Sequence, residues 1–244
     1  MAGTAELPGA AAQAVESLHA DADLLVLCKP AGLLCVPGRG PDKQDCLSAR
    51  AQQQWPDALV VHRLDQATSG LVVMARSLPV QRALSQDFAE RRVHKQYVAV
   101  VRGRPAAPGV GAARASDTDA VADTGPDWHT IDLPIAADWD RRPLRVIDPE
   151  RGQPSVTRWR ALAAAPAPDA AAGTTRLALQ PVTGRTHQLR VHLAALGHPI
   201  LGDALYADAA TLAASPRLLL HATDLRFAHP RSGAMVAFSS PAPF

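Results

Sequence analysis

The chain has 244 residues, 47% of them hydrophobic and 20% charged, with a formal net charge of +2. This is an ordinary globular composition, with room for one large domain or two small ones. No apolar run reaches the roughly 18 residues of a membrane span, and the start MAGTAELPGAAAQAVES lacks the basic and apolar regions of a secretory signal, so a cytoplasmic protein is expected.

Residues 1–17 read as a flexible, Ala-rich lead-in and 18–244 as one domain. SLHADADLLVLCKPAGLLCVPG reads as a short strand, a DAD turn and a buried strand that Lys29-Pro30 ends. DCLSARAQQQWP predicts a short helix stopped before Pro56. VVHRLDQATSGLVVMAR is apolar at both ends and polar in the middle, which predicts two buried strands joined through HRLDQATS. SLPVQRALSQDFAERR predicts a helix: Ser77 can cap it, Pro79 sits in its first turn, and Val80, Leu84 and Phe88 share one face. HKQYVAVVRG alternates into a strand that ends at Gly103.

Residues 105–126 hold almost nothing to bury and read as a mobile surface insertion; AAAPAPDAAAG reads as a second, shorter loop. TTRLALQPVTG then predicts a strand, and GRTHQLRVHLAALGHP a helix with Gly197 as its stop. PRLLLHATDLRFAHP and MVAFSSP are strand-like. Many strands mixed irregularly with few helices make an α+β single domain.

Cys28, Cys35 and Cys46 are too few and too widely spaced for a disulfide framework or a zinc site, and fit a reducing compartment. The nine histidines form no metal-binding pattern; His187 and His192, five apart, do not share a helical face. No metal or cofactor is expected. Charge is unevenly spread. Arg76 to Arg104 carries seven Lys/Arg against two acids, 105–140 one Arg against seven Asp, and 141–200 nine Arg against three acids. Such basic segments suit a nucleic-acid face, or simply a solvated one.

Asp65 is the pointed residue. An Asp between two strands usually caps a turn. Here it stands in HRLDQATSGLVV, and the chain also holds KQYVAVVRG and TGRTHQLRVHLAALGHPILGD, in that order. Together with DLLVLCKPAGLLCVPG, these stretches resemble the RluA-type pseudouridine synthases from about Leu18 to Phe244. LLCVPGRG, LPIAADWDRRP, HPILGDALYA and PRLLLHA resemble the A-type branch, which implies a uridine in a stem-loop of 23S rRNA, of tRNA, or both. The resemblance also implies a mixed, mostly antiparallel sheet with flanking helices around a central cleft, and a cofactor-free monomer acting on RNA.

The resemblance carries roles onto particular residues. The catalytic Asp falls on Asp65, either as nucleophile at the sugar or as base toward a ribose proton. Arg190 is implied as its charge partner, keeping the carboxylate ionised. Tyr97 falls on the active-site Tyr, which can stack on the target uracil; the alternative is a buried strand Tyr bonded to a carbonyl. Arg63 is expected to fill the space left by the extruded base, unless it pairs with Asp57 or another acid. Arg185, five residues from Arg190, faces elsewhere on a helix and so suits phosphate. Leu189 can floor the pocket or pack in the core. His187, Lys29 and Arg39 are further candidates for RNA contact, while His62 reads as structural and Thr68, Ser69 and Gly70 as shaping the turn. A non-catalytic RNA-binding protein on the same scaffold is one alternative. An Asp-dependent glycosidase is another, disfavoured because no second acid accompanies HRLD or GRTHQLR.

Overall fold

Residues 15–106, 128–162 and 173–244 are described by the computed structural model. Most of the predicted insertion and the second Ala-rich loop lie outside these residues. The fold is α+β: the described residues form a ten-stranded mixed sheet, a two-stranded hairpin and four α-helices.

The apolar run LLVLCK forms β2 (Leu24–Lys29), and β1 (Glu16–Ala20) pairs with it across the DAD turn. Val15 is buried, and β1 opens at Glu16. Helix α1 (Leu47–Gln54) ends before Pro56 and buries Leu47 and Ala51. The short β3 (Leu59–Val60) and the wholly buried β4 (Ser69–Ala75) flank the HRLDQAT loop. Helix α2 (Leu78–Ala89) buries Val80 and Leu84; Ser77 takes the N-cap position, but its side chain makes no capping bond.

β5 (His94–Arg102) carries the KQY motif. β6 (His129–Asp132) follows, then the hairpin of β7 (Ile135–Ala137) and β8 (Arg145–Ile147), then β9 (Val156–Ala161) and β10 (Thr174–Pro181). Helix α3 (Gln188–Ala195) stops at Gly197, which has φ 80°. Helix α4 (Ala209–Ala213), β11 (Leu220–Ala228) and β12 (Met235–Ser239) complete the chain.

The strand order is β1-β2-β4-β11-β5-β10-β9-β6, with β3 added on β4 and β12 on β11. All pairings are antiparallel except β4 with β11. At that parallel contact Gly70 stands opposite Ala222 with φ 113°, and any Cβ on it would overlap the Ala222 backbone. The three cysteines are free thiols, two of them buried.

Candidate active site

A cleft of about 460 Å³ opens between the HRLDQAT loop, β5 and the start of α3. Seven of the nine catalytic and RNA-binding candidates line it: Arg63, Asp65, Tyr97, Arg185, His187, Leu189 and Arg190. Asp65 is partly exposed, with its side chain at 22%. Arg190, at 4%, brings Nη1 to 3.7 Å from Asp65 Oδ2.

Arg190 has a second carboxylate that the sequence reading missed. Its Nε and Nη2 donate to the two oxygens of Asp203 at 2.8 and 2.6 Å. Asp203 is fully buried as a side chain and also accepts the backbone N–H groups of Leu205 and Tyr206. Burial works against the guanidinium charge, but the Asp203 bonds and the nearby Asp65 outweigh it, so the Arg190 pKa is raised. Asp203 is thus a second acid near Asp65. Its oxygens are bound to Arg190 and backbone, and it does not line the cleft, so it offers no second catalytic carboxylate.

Tyr97 lies where two apolar clusters meet and faces the cleft. Burial, with the charge of Asp65 next, pushes its hydroxyl pKa up. Among the described residues its hydroxyl donates to no carbonyl. Leu189 lines the cleft and also packs in the core.

α3 begins later than the sequence suggested. Residues 183–187 form a turn, and His187 closes it in the left-handed region at φ 57°. Arg185 therefore precedes the helix, and the helical-face argument does not apply to it. It is exposed at the cleft rim, with Nε donating to Pro154 O at 3.3 Å. Gln188 braces the turn: its oxygen accepts Thr183 Oγ1 and Arg185 N–H, and its nitrogen donates to Val156 O and Thr157 Oγ1. Buried His192 bonds Thr157 Oγ1 and Leu133 O and is structural.

His62 is structural as well. Its Nε2 accepts the Val73 N–H at 3.1 Å, and its ring stacks on Phe88 with centroids 4.3 Å apart. Asp57 pairs with Arg76, not Arg63; Arg63 is exposed with no ion partner among the described residues.

Lys29 is a correction. It is wholly buried, and Nζ donates to the carbonyls of Pro30, Leu33 and Gln66 at 2.9, 2.7 and 3.0 Å, so it cannot touch RNA. Its work is to tie the segment after β2 to the residue next to Asp65. Arg39 is exposed but lies outside the cleft. Lys95, which drew no role from the sequence, does line the cleft; burial, with Arg91 adding to it, lowers its pKa to about 8.

Residues 23–195 match the family model described as RNA pseudouridylate synthase. The chain belongs to that family. It is 42% identical over 227 residues to the dual-specificity RNA pseudouridine synthase RluA of Escherichia coli K12, covering 93% of each chain. It is 43% identical to the Vibrio vulnificus protein of the same description, covering 89% of this chain and 79% of that one. Among solved structures, human RNA pseudouridylate synthase domain containing 1 superposes with a TM-score of 0.72 at 28% identity, covering 98% of this chain and 87% of the other. The chain is thus an RluA-type RNA pseudouridine synthase, an isomerase.

Other features of this family member bear on its ligands. Asp21, Asp23 and His229 converge within 4.8 Å, the one such acid–imidazole group among the described residues. It lies at the β1–β2 turn and is taken up by bonds to backbone, His19 and Arg231. No helix among the described residues is long and apolar enough to cross a membrane.

Proposed function

We propose that this chain converts uridine to pseudouridine in a stem-loop of 23S rRNA, of tRNA, or both, with Asp65 as the reacting carboxylate. The observation that carries the reading is Asp65 beside buried Arg190 in a cleft that Tyr97 also lines. The relatives that are 42–43% identical are described as dual-specificity RNA pseudouridine synthases, which supports RNA targets of two kinds. One folded loop shape read in both RNAs would serve, since RNA is recognised largely by shape and splayed bases.

The reaction cuts the C1′–N1 bond, turns the uracil and joins C5 to C1′; C5 then gives up its proton and N1 gains one, so the product is an isomer of the substrate. Extruding the nucleotide costs a few kcal/mol. Arg63, planar, charged and exposed on the Asp65 loop, is suited to occupy the vacated stack. Tyr97 receives the uracil face. Asp65 then acts on the ribose as nucleophile or as base, with the Arg190 guanidinium facing it at 3.7 Å. Arg185 meets phosphate at the rim.

The test is pseudouridine mapping of rRNA and tRNA from a deletion strain complemented with wild-type or Asp65→Asn protein. Loss of specific pseudouridines, restored by the wild type alone, is expected; purified Asp65→Asn should still bind RNA but turn over none. Ordinary turnover by Asp65→Asn would remove Asp65 from its role. An unchanged pseudouridine map would favour a non-catalytic RNA-binding protein.

A further inference from the structure

His187 and Tyr206 stand beside Asp65 with no part in the chemistry above. Tyr206 follows Asp203, which accepts its backbone N–H, and its ring lies 5.1 Å from the Arg190 guanidinium. The left-handed turn at His187 sets the imidazole between Tyr206 and Asp65. Nδ1 is 2.6 Å from the Tyr206 hydroxyl, and Nε2 is 4.0 Å from Asp65 Oδ2.

The protons can be assigned from the partners. The Tyr206 oxygen already accepts the backbone N–H of Arg145 at 3.0 Å. Its own O–H is therefore free to donate, and the acceptor in reach is His187 Nδ1. A ring nitrogen that accepts carries no proton, so the neutral imidazole keeps its proton on Nε2, the atom turned toward Asp65. The neutral form fits the surroundings: burial, with Arg190 and Arg145 nearby, outweighs the pull of Asp65 and Asp203 and lowers the His187 pKa.

Arg190 and His187 both make their nearest approach to the same oxygen, Oδ2. We propose that Tyr206 fixes His187 as the Nε2–H tautomer, and that His187 is a positioning residue which, with Arg190, holds Oδ2 of Asp65 and leaves Oδ1 to react with the ribose. The 4.0 Å gap closes when substrate fills the cleft, as catalytic hydrogen bonds commonly tighten on binding. The proposal rests on Asp65 being the reacting carboxylate.

Nitrogen-15 NMR of the free protein tests the tautomer without any substrate. The wild type should show a protonated Nε2 and a bare Nδ1 at His187, and Tyr206→Phe should lose that preference. His187→Asn tests the consequence. Asn tolerates the left-handed backbone but has no donor at the Nε2 position. Its turnover should fall about tenfold or more, the scale of a lost hydrogen bond to a charged group, with RNA affinity within twofold and melting temperature little changed. A wild-type ring protonated on Nδ1, or His187→Asn turnover within twofold of wild type, overturns the proposal. If the wild type itself forms no pseudouridine, the reading of the reaction fails instead, and the tautomer is still decided by the spectrum.

Discussion

Two buried cations support Asp65, one through its loop and one from α3, and they work differently. Lys29 is bonded to three neutral carbonyls, one of them that of Gln66. Arg190 is bonded to a carboxylate, Asp203, and keeps Nη1 toward Asp65. Burial pushes Lys29 down to about 8, whereas Arg190 is raised by its partner. A cation held by carbonyls fixes the course of the backbone. A cation whose charge is balanced by a buried acid is a rigid donor, able to face a second acid without collapsing onto it. The loop side of the site is thus built for shape, and the helix side for charge.

The largest expected effect breaks the loop side. Lys29→Met removes a buried ammonium that three carbonyls share and leaves the buried Leu33 carbonyl without its donor, which should cost about 4 kcal/mol and lower the melting temperature by roughly 10 °C, measurable by calorimetry. Asp203→Asn breaks the helix side. It should cost about 3 kcal/mol, and Asp65 becomes the sole carboxylate within reach of Arg190 among the described residues. Arg190 then swings toward it, and turnover should drop by about a hundredfold while RNA affinity holds. Equal losses of turnover and affinity would show that Asp203 merely holds up the fold.

Acid probes the loop side again, because His62 begins the loop that Lys29 secures. Burial lowers the His62 pKa to about 3; burial and Arg217 lower that of His221 to about 4. Both stay neutral when folded but titrate near 6.5 when unfolded, so the unfolded chain takes up more protons between pH 6.5 and 4. Stability should therefore fall as pH drops through that window, by about 1.4 kcal/mol per pH unit for His62 alone. A melting temperature flat from pH 7 to 5 would contradict this. The smallest effects belong to the exposed arginines, neither of which should alter melting. Arg185→Ala should weaken binding to all RNAs alike, by about fivefold, and flatten its salt dependence. Arg63→Ala should cost turnover more than affinity, and a substrate with its target uridine already unpaired should partly rescue it.

The contrast between the two sides also explains what could be read from the chain. HRLD, KQY and GRTHQLR are short segments, and the resemblance they carry pointed to Asp65, Tyr97 and Arg190, which the fold brings to one cleft; the α+β class was legible as well. Asp203 was not. It sits 13 residues beyond Arg190, in HPILGDALYA, and its role exists only once the chain has turned back. A buried Arg needs a buried acid, and the Asp of that stretch was the available signal. Lys29 was misread because lysine is normally exposed and carbonyl partners leave no mark in side-chain identity. The start of α3 was misplaced because a left-handed turn at a histidine, not a glycine, interrupts the helical pattern. The strand order was hidden for the same reason as Asp203: it is set by long-range pairing.

That order has a consequence for how the molecule is made. β11 lies between β4 and β5, yet it is synthesised long after both. At ordinary elongation rates the ribosome takes on the order of ten seconds to pass from the end of β5 to the start of β11. β4, which carries Ser69, and β5, which carries Tyr97, are joined only through β11. Assembly of the cleft is timed by one of the last strands to emerge.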